Sequence, residues 1–156
     1  MNQIIAQFEL QTKLFKNATT AFNEADAGKS TGEANHAKWL IGHTVSGRYM
    51  IANILGLNQS EPFPDLFSNL KGIQKDIQYP SMADLTKDWD AISEKVIGRL
   101  KEMTDADFNA PEPFPHPMSD GTLKGVFGFF AHHEAYTLGQ IGYIRRIFGM
   151  EAMKYN

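Results

Sequence analysis

His133 and Thr137 stand one helical turn apart in the segment His133-Glu134-Ala135-Tyr136-Thr137-Leu138-Gly139-Gln140-Ile141, and His43 closes a second apolar segment, Trp39-Leu40-Ile41-Gly42-His43. Neutral imidazole is a good ligand for zinc or nickel, and two imidazoles on separate helices facing one interior are the start of a metal centre. A third nitrogen would be expected one turn after His133. Threonine stands there, and a neutral hydroxyl is a poor ligand. If a structural zinc site supplies roughly 10–16 kcal/mol over four ligands, losing one costs roughly 3 kcal/mol, or about two decades of affinity. The bland alternative for His43 and His133 is a pair of core histidines hydrogen-bonded to each other, to Thr137 or to buried water.

The other polar candidates carry less. Adjacent helical residues point about 100° apart, so His132 cannot face the same ion as His133 and is expected beside Phe129 and Tyr136. His36 lies two turns before His43, roughly 10 Å away along the axis, too far to share an ion. Gln140 reads as a buried amide or as a group that holds a ligand or its water. Tyr136 and Tyr143 read as core aromatics with a wet hydroxyl. His116, set among prolines, is expected in solvent, or on a loop that covers the mouth of the pocket.

Four helical segments must position these groups. Ile5, Phe8, Phe15 and Phe22 recur at helical steps and predict a first helix over residues 2 to about 25, stopped by Gly28. Asn35 offers a cap for a second, to about Leu55, with His36, Leu40, His43, Gly47, Met50 and Ile54 on one face. Leu57 to Pro80 is a long crossover that Phe63, Leu66, Phe67 and Leu70 could anchor. Ser81 with Asp84 resembles a capping pair for a third helix, whose stripe is Leu85, Trp89, Ile92, Val96 and Leu100 and whose end is near Met103. The alternating prolines from Pro111 to Pro117 forbid helix and demand an extended segment, exposed or laid along a groove. After Asp120-Gly121 a fourth helix runs from about Thr122 to Phe148, with Val126, Phe130, His133, Thr137, Ile141, Ile144 and Phe148 in register. Apolar over most of its circumference, it reads as a central helix. Gly42, Gly47 and Gly139 are expected to allow close helix approach. The fold class is all-α, a single four-helix bundle over residues 1–156 with the long crossover between helices 2 and 3.

A chain of 156 residues can bury roughly 70% of its unfolded surface in one core. It holds no cysteine, which excludes disulfides, cysteine zinc ribbons, iron–sulfur clusters and a cysteine nucleophile of its own. A net charge of −3, with Arg145-Arg146 as the lone basic pair, argues against a nucleic-acid partner. The start MNQIIAQFEL has no basic leader followed by an apolar block, and the apolar run from Val126 to Ala131 is far too short to span a bilayer. A soluble cytoplasmic protein is expected. No Walker loop, GxGxxG, GxSxG or HExxH signature is present.

The two histidine segments, followed by Arg145-Arg146 and the helix-ending Gly149, resemble the signature regions of the DinB-like family. The resemblance covers the chain in helix order, and only these two regions are specific. It implies an up-down-down-up four-helix bundle, often dimeric, that holds a divalent metal, zinc or nickel, by three histidines, one from the second helix and an HxxxH pair from the fourth. Position by position, His43 and His133 match two metal ligands and Thr137 stands at the third, where it would line the pocket or hold a metal-bound water; Gln140 would support the ligands. The implied chemistry is that of a metal-dependent transferase or isomerase that activates a low-molecular-weight thiol. The alternative is a non-catalytic bundle acting as a small-ligand binder or homodimeric interaction module.

Overall fold

The computed structural model describes residues 2–68 and 71–155; Leu70, one of the expected crossover anchors, lies outside them. Seven helices are found among the described residues: α1 (Asn2–Thr19), α2 (Glu24–Ala27), α3 (Ala37–Ile54), α4 (Pro64–Phe67), α5 (Met82–Glu102), α6 (Asp105–Phe108) and α7 (Leu123–Ile147). The four long ones form a ring in which α1 packs on α7, α7 on α3, α3 on α5 and α5 on α1. Strands are absent among the described residues apart from the isolated bridges Thr31–Ala34 and Pro111–Thr122. The chain is all-α.

Packing follows the helical stripes closely in α5, where Leu85, Trp89, Ile92, Val96 and Leu100 are all buried and Ser81 caps the first turn by accepting from the Asp84 amide at 3.0 Å. Phe15 of α1 stacks on Trp89 of α5 at 4.1 Å, closing the core between them.

Three local departures have clear causes. The first helix stops at Thr19, not near residue 25. Thr19 and Thr20 return their hydroxyls to the carbonyls of Phe15 and Lys16, and Asn23 then caps a separate short turn by accepting from the Asp26 amide at 2.8 Å. The cap of α3 is His36, whose Nδ1 accepts from the Trp39 amide at 3.0 Å, in place of Asn35. On α3 the stripe traced through His43 leads to Met50, which is 46% exposed, while the buried face runs through Leu40, Ile41, Thr44, Arg48 and Ile51.

The crossover is anchored by Phe67. A Cβ placed on Gly42 would lie 2.1 Å from Phe67 Cζ, so this glycine makes room for α4 rather than for another long helix; Gly47 and Gly139 have nothing within 4 Å of that position. Gly42→Ala is therefore expected to lower stability by about 1–3 kcal/mol from overpacking. Gly47→Ala has open space, and the helix propensity of alanine should raise stability by up to about 1 kcal/mol. Urea denaturation of both variants checks the contrast, and equal shifts would show that Phe67 yields freely.

The proline segment lies along the bundle with its prolines outward and Glu112, Phe114 and His116 turned in. His116 is not in solvent: its side chain is 2% exposed, with Nε2 3.2 Å from a Glu112 carboxylate oxygen. Its Nδ1 accepts from the Met118 amide at 3.3 Å. The imidazole packs on Phe129 at 5.5 Å, and that aromatic packs in turn on His133.

α7 contacts both α1 and α3, yet it is not surrounded: Tyr136 and Tyr143 are 64% and 69% exposed. They are surface aromatics, contrary to the core placement expected for them.

Candidate functional site

α3 and α7 bring His43 and His133 together. The two Nε2 atoms are 2.8 Å apart, a hydrogen bond between residues 90 positions distant in sequence, and the rings meet edge to face at 83°. Each imidazole is backed by an aromatic ring four residues earlier on its own helix, the spacing at which helical side chains meet. Trp39 stacks on His43 at 4.8 Å and 8°, and Phe129 on His133 at 6.1 Å and 22°. These rings limit how far either imidazole can turn.

Only one partner of such a bond can supply the hydrogen, so at least one ring is a neutral acceptor. Burial pushes both imidazoles below the ordinary histidine range, His43 to about 4, with the neighbouring His133 adding to the effect. His43 Nδ1 is buried without a hydrogen-bond partner, as is the Trp39 indole nitrogen beside it. Metal-bound histidines almost always have the second ring nitrogen engaged, and His43 lacks that support.

Thr137 is buried one turn after His133, as its register requires. Its hydroxyl donates to the His133 carbonyl at 2.9 Å, so it serves its own helix. Gln140 makes no hydrogen bond to either ring among the described residues. It lines a cleft of about 410 Å³ with Tyr136, Gly139 and Tyr143 on the outer side of α7. His132 is exposed. His36 is committed to the cap of α3 and packs edge-on against Tyr79 at 5.1 Å.

Beside the imidazole pair lies a group that apolar periodicity passes over. Arg48 and Glu134 form a bidentate ion pair in the interior, 0% and 2% exposed, with Nε donating to one carboxylate oxygen and Nη2 to the other at 2.9 Å. Nη2 also donates to the Phe8 carbonyl at 3.1 Å, and the guanidinium lies over the rings of Phe8 and Trp89 at 4.9 and 4.4 Å. Arg48 thus touches α1, α5 and α7 at once. Burial pushes the Glu134 carboxyl up, and Arg48 opposes it. Gln11 of α1 adds a further tie by donating to the Ala131 carbonyl of α7. A sequence signal did exist, since Glu134 is the sole acid between Leu123 and Ile147.

Helical architecture with a histidine pair between two long helices defines the class: a helical bundle protein. The DinB superfamily model matches residues 7–141, and the chain belongs to that superfamily. A search among curated proteins finds no match.

Superfamily membership implies a divalent metal, and the donors present do not fit a three-nitrogen centre. Two imidazole nitrogens bond to each other, the third position carries a neutral hydroxyl, a poor ligand, and among the described residues no group of three His, Cys, Asp or Glu side chains could hold an ion.

The low proton affinity of His43 gives a testable pH dependence. An unfolded histidine titrates near 6.5 and the folded one near 4. Between these values the unfolded chain takes up a proton that the folded chain refuses, so stability falls as pH drops through that window, by roughly 3 kcal/mol in full. Denaturation of wild type and His43→Gln from pH 7 to pH 4 should show a shallower loss in the variant. Superimposable profiles would contradict the assigned burial.

Proposed function

We propose that this bundle is a non-catalytic cytoplasmic module, a small-ligand binder or homodimeric interaction unit without a nucleic-acid partner, in which a hydrogen-bonded imidazole pair replaces a metal centre. The observation that carries the proposal is the direct Nε2 contact at 2.8 Å, beside a Thr137 hydroxyl that bonds its own helix. Support for pairing comes from the outer face of α7, where Tyr136, Tyr143 and Ile147 are exposed and uncharged. Among the described residues no helix is long and apolar enough to cross a membrane.

The thiol-dependent transferase or isomerase chemistry suggested by the family resemblance requires a metal with open positions to bind and acidify a thiol. His43 and His133 would be its ligands, and they supply two nitrogens. The test is the metal content of protein purified without added metal, alongside His43→Ala. Substoichiometric zinc and nickel in both are expected, and stoichiometric metal that disappears in His43→Ala would overturn the proposal.

A further inference from the structure

We infer that the Arg48–Glu134 ion pair is the positioning device of the histidine pair, setting the mutual register of α3 and α7 at which the two Nε2 atoms meet. The inference rests on the reading of His43 and His133 as a bonded pair.

Glu134 follows His133 directly, so any rotation or slide of α7 that moves its carboxylate moves His133 by the same amount. Arg48 lies five residues after His43 on α3, about 7.5 Å along the axis. The ion pair and the imidazole pair therefore join the same two helices at two levels. A hydrogen bond of 2.8 Å is lost when the donor and acceptor separate by much less than an ångström. Apolar side chains tolerate such shifts, because a core keeps most of its stability under volume-conserving repacking while losing uniqueness. A bidentate guanidinium–carboxylate fork does not, because both of its bonds need one orientation.

The guanidinium is itself fixed from the remaining sides, by the Phe8 carbonyl of α1 and by the Phe8 and Trp89 rings above and below it. From α3 it reaches the other three long helices, α1, α5 and α7. The aromatic rings of Trp39 and Phe129 set the tilt of each imidazole, but each belongs to the same helix as the ring it supports and cannot set the distance between helices. The ion pair spans the two helices directly, and its fork adds an orientation requirement to the apolar packing between them.

The test is NMR of uniformly 15N-labelled protein at neutral pH, reading the 15N–15N coupling across the His43–His133 hydrogen bond in wild type, Arg48→Met/Glu134→Leu and Glu134→Gln. The double variant replaces the ions with apolar groups of similar length, and such replacements commonly leave a cooperative fold. The expected result is a coupling that is present in wild type, falls below detection in the double variant, and survives in Glu134→Gln, which keeps one fork contact. A coupling retained in the folded double variant would overturn the inference and leave the bonded pair standing. If the double variant does not fold, Arg48→Lys decides, because it keeps the charge but cannot make the two-point fork: a coupling equal to that of wild type would overturn the inference, and a weakened or lost coupling would support it. No coupling in wild type would remove the bonded pair and this inference together.

Discussion

Glu134→Ala is expected to destabilise the protein by about 3–5 kcal/mol, because it leaves an uncompensated guanidinium in the interior. Arg48 is fully buried, and among the described residues its hydrogen bonds outside Glu134 are limited to Nη2 donating to the Phe8 carbonyl, with Nη1 unpartnered. Cation–π contact with Phe8 and Trp89 is worth up to about 2 kcal/mol and cannot replace a carboxylate. Typical domains are stable by about 5–15 kcal/mol, so the loss removes a large share of the stability and, at the lower end of that range, nearly all of it. The double variant Arg48→Met/Glu134→Leu should recover most or all of that loss, since replacing both members of a buried pair by apolar groups is often neutral or stabilising by about 1–4 kcal/mol. Urea denaturation of the three proteins checks both statements. A single variant within about 1 kcal/mol of wild type would mean that water reaches Arg48 in solution.

Thr137→His is expected to tighten zinc or nickel binding by about two decades, the value of one restored ligand. Nitrogens bound at about 2.0–2.1 Å to a tetrahedral ion stand roughly 3.3 Å apart, so the existing 2.8 Å contact needs to open by only about half an ångström. Both rings are already neutral at pH 7, as ligands must be. The opposing cost is steric: Thr137 is buried, and an oversized side chain in a packed core costs about 1–3 kcal/mol. The variant should therefore melt below wild type without metal and gain about 2.7 kcal/mol at a zinc concentration near 100 times its dissociation constant. Thermal melts with and without zinc read this directly; an equal zinc shift in wild type would show that position 137 is not the missing ligand.

Much of the fold was legible because long helices repeat their pattern many times. Leu85 to Leu100 in α5 announce their buried face, and in α7 Val126, Phe130, Thr137, Ile141 and Ile144 do so, although Tyr136 and Tyr143, expected in the core, face outward. The ends were less legible where side chains compete with the backbone, as at Thr19, Thr20 and Asn23. On α3 the buried face was misplaced, because its centre is Arg48, a charge that enters the core only with Glu134 opposite. The signal lay 86 positions away, in a sole acid on an apolar helix, and nothing local to α3 pointed to it. The convergence of His43 with His133 was legible for the opposite reason, as both sit among apolar neighbours on helices that had to share one interior. What no spacing could reveal is that the Thr137 hydroxyl donates its hydrogen to its own helix, because that is set by geometry around the site.

The most direct measurement is an isothermal titration of metal-stripped wild type with zinc, set beside Thr137→His under the same conditions. If His43 and His133 spend their nitrogens on each other, wild type binds about two decades more weakly than the variant, or not measurably. One tightly bound zinc per chain in wild type, matching the variant in affinity, would contradict the account at its centre.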